Sequence, residues 1–234
     1  MSLPRIKQPL YRMTIPSTGE EIQYRSFLVK EEKILVLGME SGETVDVTDA
    51  ITQVINNCIV TEGVSVDRLA SFDVEWIFLN LRLRSVSDVM DLKSQCSKCE
   101  SSFEFQVDLK DIPPPKPTTA SNKIQFTEDI GIVLKYPTLN SASGVMTDNS
   151  IDSAFSIIAS CIDKIYDKDA VYDSKDHDKQ ELVDWVLELS QPSFAMIEKF
   201  FEDLPAVRYE KDIPCPSCSE SNKIILEGLD SFLG

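Results

Sequence analysis

The sequence of 234 residues predicts an α+β protein with an N-terminal unit of a hairpin and helices, a split zinc-ribbon-like β module, and a small helical bundle inserted into that module. Three observations predict this arrangement. Two Cys-x-x-Cys pairs are each followed by a strand-like apolar segment, apolar residues between the pairs recur at helical spacing, and a turn-like composition near the N-terminus separates two short strand patterns. The predicted ranges are 1–92 for the N-terminal unit, 93–139 and 206–234 for the β module, and 140–205 for the acidic helical bundle.

The N-terminal unit is predicted from a hairpin pattern followed by helical patterns. Residues 9–26 contain two short runs that flank Pro16-Ser17-Thr18-Gly19, a composition typical of turns. A short helix is predicted over residues 27–37, and Thr48 or Asp49 can cap the next one. A longer helix is predicted from Ser65 or Asp67 to about Arg84, although alternating leucines near its end also fit a strand. Because this helix is apolar around much of its girth, we expect it in the middle of the unit.

The first half of the β module is predicted to extend to residue 139. Residues 124–127 and 131–136 can pair across a short turn. The proline-rich run at 113–117 is typical of a stiff connector. Asn, Ser, Gly, Thr and Asp dominate residues 140–149, which predicts a loop.

The inserted segment is predicted to contain three amphipathic helices. In the first, apolar residues recur at i, i+3, i+4 and i+7 from Ile151 to Ile165, after a possible cap at Ser150. The second carries the apolar residues of 182–189. The third begins near Pro192, where a proline suits the first helical turn. Residues 166–179 are polar and predict a loop between the first two helices.

Four cysteines in two Cys-x-x-Cys pairs predict a structural zinc site. Cys96 and Cys99 form one Cys-x-x-Cys pair, and Cys215 and Cys218 form the other. Two such pairs supply the four sulfurs of a closed tetrahedral zinc site. Residues 100–214 separate the pairs, whereas a compact ribbon has about 15–20 residues there, so the fold must bring the halves together. Such a zinc ion would stabilise folding and would leave no open position for chemistry.

Two other interpretations of the cysteines stay open at this point. The pairs could be separate redox motifs, or they could be reduced or disulfide-bonded without metal; an iron–sulfur cluster is less consistent with the pattern. Neither pair follows a clear βαβ pattern, which argues against two thioredoxin-like motifs. The remaining cysteines, Cys58 and Cys161, lie on predicted apolar helical faces and are expected to be buried.

The net charge of −16 limits the classes of partner. An acidic chain repels nucleic acid and anionic lipid, so we expect no nucleic-acid binding and no membrane insertion. The N-terminal residues are polar and no apolar run reaches transmembrane length, so the sequence predicts a cytoplasmic protein without a signal peptide. The acidity favours solubility or a basic partner surface.

The sequence lacks a recognisable catalytic constellation. His177 is the only histidine and lies in a polar, acidic stretch, where a solvated side chain is the simplest interpretation. The run from Asp167 to Asp178 resembles a calcium loop, but Val171 occupies a ligand position and no glycine follows it. No glycine cluster could cradle a phosphate. We therefore predict a protein that is not an enzyme and takes no small-molecule substrate.

Three phrases of the sequence, Tyr24–Leu35, Val54–Ile59 and Phe72–Val86, carry a family resemblance. Together they resemble the baseplate hub assembly proteins of T-even-like contractile-tailed bacteriophages, over about residues 4–90 and more weakly over the rest. It implies a role in building the central hub of the baseplate in the cytoplasm of an infected bacterium. The protein would bind hub proteins as a chaperone-like assembly factor, or stay in the virion tail as a structural subunit.

Two further functions remain as alternatives, a zinc-ribbon transcription adaptor and a thiol oxidoreductase. The first would need a basic face with aromatic residues, and the second would need two exposed Cys-x-x-Cys pairs far apart. If the protein binds a hub component, the acids of the inserted segment are the candidate contacts. These are Asp163, Asp167, Asp169 and Asp173.

Overall fold

The N-terminal unit is a hairpin followed by helices, as predicted. A computed structural model describes residues 6–41, 44–116, 121–141 and 151–233. Its first elements are β1 (Leu10–Thr14), β2 (Glu21–Arg25), α1 (Val29–Ser41), α2 (Thr44–Cys58) and α3 (Ser71–Ser85). β1 and β2 pair in antiparallel register. Side chains of the hairpin, α2 and α3 form the N-terminal core, which includes Ile22, Tyr24, Ile55 and Ile77.

Helix α3 contributes side chains to two hydrophobic cores and therefore lies between them. Ile77, Phe78 and Leu81 pack into the N-terminal core. Leu79 packs into a second group that joins α3 to the β module and the C-terminus, here called the α3–hairpin core, with Val107, Val207 and Phe232. The alternating leucines that also fitted a strand are helical to Ser85. A helix that is buried on more than one side needs apolar residues around most of its girth.

The β module consists of two separate antiparallel hairpins. The first pairs β3 (Val89–Gln95) with β4 (Ser102–Asp108). The second pairs β9 (Arg208–Pro214) with β10 (Ser221–Glu227), and the short helix α7 (Asp230–Leu233) follows it. All four strands are seven residues long, and the turns that join them, 96–101 and 215–220, are equally long. This confirms the prediction of two equivalent knuckle–strand halves.

The helices of the predicted inserted segment, 140–205, fold together with a four-stranded antiparallel sheet, whose first two strands lie in the range 93–139 that was predicted for the β module. The sheet has the order β5-β6-β7-β8, and its elements are β5 (Lys123–Gln125), β6 (Gly131–Leu134), β7 (Ile162–Tyr166) and β8 (Val171–Asp173). The helices are α4 (Ile151–Ser160), α5 (Lys179–Leu187) and α6 (Gln191–Glu202). Helices and sheet share the inserted-unit core, which includes Ile132, Ile158, Val186 and Phe200. The prediction of a bundle made of helices alone is therefore wrong in detail, although the three predicted helical segments are present.

The prediction of one helix from Ile151 to Ile165 is wrong at its C-terminal end. The helix ends at Ser160, and Ile162 and Ile165 lie on β7, which pairs with β6. The carbonyl of Cys161 accepts a hydrogen bond from the N–H of Lys135 at 2.7 Å, which starts this pairing. The apolar residues of the helix and those of the strand pack into the same core. The apolar periodicity alone therefore did not distinguish helix from strand.

Two other predictions have mixed outcomes. The predicted loop at 166–179 contains β8 and a 3₁₀ turn at Ser174–Asp176. The predicted loop at 140–149 and the cap at Ser150 fall largely outside the described residues, which end at 141 and resume at 151. The division into three units by residue range stays a prediction. Among the helices that the structure describes, none combines the length and apolar character required to cross a membrane.

Candidate metal centre

The two hairpin turns have the same backbone geometry. In the first, the N–H of Cys96 donates to the carbonyl of Ser101 at 3.0 Å; in the second, the N–H of Cys215 donates to the carbonyl of Glu220 at 2.8 Å. The residue after the second cysteine of each pair has a positive φ, 58° at Glu100 and 61° at Ser219. Each turn therefore folds its two thiols towards the same side.

The fold brings all four predicted cysteines together. The Sγ atoms of Cys96 and Cys218 are 3.6 Å apart, and those of Cys99 and Cys215 are 3.7 Å apart. All four sulfurs lie within 4.8 Å of one another. A tetrahedral zinc site with Zn–S bonds of about 2.3 Å has sulfurs about 3.8 Å apart, whereas a disulfide needs about 2.05 Å. The separations match the edges of a tetrahedral metal site, and these four side chains could hold a metal ion.

Hydrogen bonds to the sulfurs lower the pKa of two of the four cysteines, Cys96 and Cys215. The backbone N–H groups of Cys99 and Lys98 lower the pKa of Cys96. The hydroxyl of Ser101 is the main influence that lowers the pKa of Cys215 to about 6. The N–H of Glu220 favours the thiolate of Cys218, but the neighbouring sulfurs and burial outweigh it and raise the pKa of Cys218 to about 12. Since metal ligands must be thiolates, a bound cation would displace the proton held there.

Asn222, which sequence reasoning missed, joins the two turns. Its Oδ1 accepts hydrogen bonds from the backbone N–H of Ser97 at 2.9 Å and from the Ser97 hydroxyl at 3.2 Å. Its Nδ2 donates to Cys96 Sγ at 3.7 Å and to the Glu220 carbonyl at 3.0 Å. The side chain is only 6 % exposed, so these bonds are shielded from water. The only sequence signal was a polar residue at an inward-facing position of β10.

Two further polar contacts connect the turns. Ser101 Oγ lies 3.0 Å from Cys99 Sγ and 3.4 Å from Cys215 Sγ, so one hydroxyl contacts a sulfur from each pair. Lys98 Nζ and Glu220 Oε2 form an ion pair at 2.8 Å across the two turns. This pair is exposed and should contribute little to stability. Glu220, and more weakly the nearby Cys218 and Cys96, raise the pKa of Lys98.

The remaining sequence-predicted residues lie away from this cluster. Cys58 and Cys161 are buried in the protein, and burial raises the pKa of each thiol to about 11. His177 contacts Glu181 at 3.2 Å. Asp167 accepts hydrogen bonds from the backbone of its own turn, and Asp173 pairs with Lys175.

The three sequence phrases that carry the family resemblance meet in the N-terminal unit. Arg25 pairs with the fully buried Glu31 at 3.0 Å and donates to the carbonyl of Asn57 at 2.8 Å. The N–H of Phe27 donates to the Ser85 hydroxyl at 2.9 Å. These contacts join residues of all three phrases in the folded chain.

The fold and site define an α+β protein with a zinc-ribbon-like pair of cysteine hairpins. The chain belongs to the T4 bacteriophage base plate protein family, whose model matches residues 8–234. No curated protein and no solved structure matches the chain. The family match confirms the baseplate resemblance, and it associates the chain with the other proteins of a phage baseplate.

Proposed function

We propose that this protein is a non-enzymatic assembly factor for the hub of a phage tail baseplate, acting in the host cytoplasm and stabilised by one zinc ion. The observation that carries the proposal is the family match over residues 8–234, on a chain whose four clustered thiols form a closed donor set. Four protein ligands satisfy tetrahedral zinc, so no position remains for substrate.

The proposed ligands of this zinc ion are Cys96, Cys99, Cys215 and Cys218. Soft thiolate ligands in tetrahedral geometry suit zinc, and iron–sulfur chemistry is the alternative for the same donor set. Zinc would supply positive charge that holds four thiolates together. The chain's own contribution is to position them through the two turns, Asn222 and Ser101.

The zinc site supports the function mechanically. The two hairpins also pack with Leu79 of α3 in the α3–hairpin core, through Val107 of the first and Tyr209 of the second. Joining the hairpins at their tips therefore fixes both ends of the segment from 100 to 214. In this way the metal would hold the inserted unit in a defined orientation towards the N-terminal unit, so that hub proteins meet one rigid surface.

Deletion of the gene tests the assembly role. Loss of complete baseplates, restored by the gene supplied in trans, is expected; normal baseplates in its absence would contradict the proposal. Mass spectrometry of purified tails separates the assembly factor, absent from the particle, from a structural subunit retained in the virion.

A separate experiment tests the metal. Mass spectrometry of the native protein should give one zinc per chain, whereas iron with sulfide would contradict zinc.

A zinc-ribbon transcription adaptor is the second candidate, and the cysteine hairpins are the observation that favours it. The acidic charge of the chain opposes binding to nucleic acid. A mobility-shift experiment at low salt with double-stranded DNA would separate the two candidates, since the assembly factor should leave the DNA unshifted.

A further inference from the structure

A cleft of about 310 Å³ opens between the β7–β8 hairpin and α5. Its lining combines aromatic rings with carboxylates, namely Tyr166, Tyr172, Trp185, Asp167 and Glu181. His177 also lines the cleft, and none of the described lining residues is lysine or arginine. The volume lies at the small end of the range of ligand pockets, about 300–1,000 Å³, which suits one long side chain better than a cofactor.

The aromatic lining suits a cation with an apolar stem. Tyr172 is 42 % exposed at the cleft, and Trp185 is half-buried beside the apolar Leu182. Tyr166 already makes such a contact with β5, because Lys123 Nζ lies 4.8 Å from the centroid of the Tyr166 ring. Cations are attracted to the faces of aromatic rings, most strongly to tryptophan and tyrosine.

The two carboxylates of the cleft are held in place before any ligand arrives. Asp167 Oδ1 accepts hydrogen bonds from the N–H groups of Asp169 and Ala170, each at 2.8 Å, and Oδ2 accepts one from the Tyr172 hydroxyl at 2.9 Å. The first of these bonds is the main influence that lowers the pKa of Asp167, which therefore stays ionised.

Glu181 is held by the capping box at the start of α5. Its Oε2 accepts from the N–H of Asp178 at 3.4 Å and lies 3.2 Å from His177 Nδ1. Its own N–H donates to Asp178 Oδ1 at 2.9 Å. The cleft is therefore pre-organised, and binding should cost little side-chain ordering.

The surrounding charge is complementary to a basic partner. Residues 151–204 contain thirteen acids and five lysines, which is a net −8 and half of the charge of the whole chain. A field of one sign concentrates partners of the opposite sign and speeds their association.

We propose that this cleft binds an arginine side chain presented by a basic segment of a partner protein, with the guanidinium facing Asp167 and Glu181 and the methylene stem against Trp185. Arginine is favoured over lysine because its planar guanidinium stacks on aromatic rings and forks onto carboxylates, and because it is less strongly hydrated than an ammonium. Only the identification of the partner as a baseplate protein rests on the proposed function.

The test is a titration of the full-length, metal-loaded protein, followed by NMR. The probes are the Nα-acetyl methylamides of arginine, lysine and citrulline, the last being an uncharged analogue of arginine. The indole signal of Trp185 should shift with arginine, while that of Trp76, outside the cleft, should not. Because a charge-assisted hydrogen bond is lost, citrulline should bind about tenfold more weakly. Equal shifts with citrulline or with lysine would overturn the assignment, as would an unchanged Trp185 signal.

Variants test the residues of the cleft. Glu181→Gln should weaken arginine binding about tenfold, and Tyr172→Leu should weaken it without touching the helix cap if the first variant folds poorly. The matched control is Glu198→Gln, an exposed glutamate on α6 outside the cleft, which should bind arginine as the wild type does. Undiminished binding by a folded Tyr172→Leu or Glu181→Gln protein would overturn the proposal. The effect of a gene deletion on baseplate assembly is measured in a separate experiment. The proposed function and the arginine site can therefore each be contradicted without the other.

Discussion

The side-chain oxygen of Asn222 accepts a hydrogen bond from the backbone N–H of Ser97 at 2.9 Å, and the two residues are 125 positions apart in the chain. This contact ties the first cysteine turn to the second from outside the sulfur cluster. Residues that orient metal ligands in this way tune metal affinity, although they are not themselves ligands.

Asn222→Ala should therefore weaken metal binding without removing a ligand. We expect a loss of about 10- to 100-fold in zinc affinity, because Cys96 loses a donor and the Ser97 N–H loses its acceptor. Competition with a chromophoric chelator measures the change. Asn56→Ala, an exposed asparagine on α2, is the control and should keep wild-type affinity. Equal affinities for both variants would remove Asn222 from the site.

Cys99→Ser should release most of the metal and destabilise the protein sharply. Structural zinc contributes apparent binding energies of about 10–16 kcal/mol in small fingers, and that energy is coupled to folding. Metal content and thermal unfolding, each with and without a chelator, give the measurement. Ser217→Ala changes the same type of turn without removing a sulfur and should behave like the wild type. A Cys99→Ser protein with full metal content and unchanged melting would argue against the four-thiol site.

Glu100→Gly should stabilise the first cysteine turn. Glu100 has a φ of 58°, a conformation that costs a non-glycine residue about 1 kcal/mol and costs glycine almost nothing. We expect the free energy of unfolding to rise by about 1 kcal/mol in chemical denaturation at constant zinc. Glu104→Gly on β4 should have the opposite sign, because glycine weakens a regular strand. A loss of stability in both variants would contradict this interpretation of the turn.

Glu75→Gln should stabilise the protein increasingly as the pH rises. Burial raises the pKa of Glu75 to about 7, against the favourable N–H of Val207. A carboxyl whose pKa is higher in the folded than in the unfolded protein contributes its full stability at pH values below the unfolded pKa. That stability is lost as the pH rises through 7. Between pH 5.5 and 8 the advantage of glutamine should grow by about 2 kcal/mol. Parallel denaturation curves of wild type, Glu75→Gln and the exposed control Glu62→Gln measure it; a constant difference would place the pKa elsewhere.

The N-terminal unit was largely predictable because its signals are local. A turn composition at 16–19 lies between strands that do pair, and the apolar periodicity of α3 is long enough to identify a helix. The segment from Ile151 to Ile165 was not predictable in this way. Ile158, Ile162 and Ile165 have helical spacing in the sequence, and that spacing is the same whether the helix continues or ends near Cys161. The change from helix to strand depends on pairing with β6, and only the folded chain brings β6 next to this segment.

The same contrast applies to the candidate site. By itself the sequence determined which side chains could hold a metal, since two Cys-x-x-Cys turns give four thiols of the right chemistry at the right local spacing. Only the tertiary structure decided that Cys96 and Cys218 lie 3.6 Å apart, and that Asn222 and Ser101 support them. The physical reason is range: a turn is determined by a few neighbouring residues, whereas the approach of the two hairpins depends on their shared packing against α3.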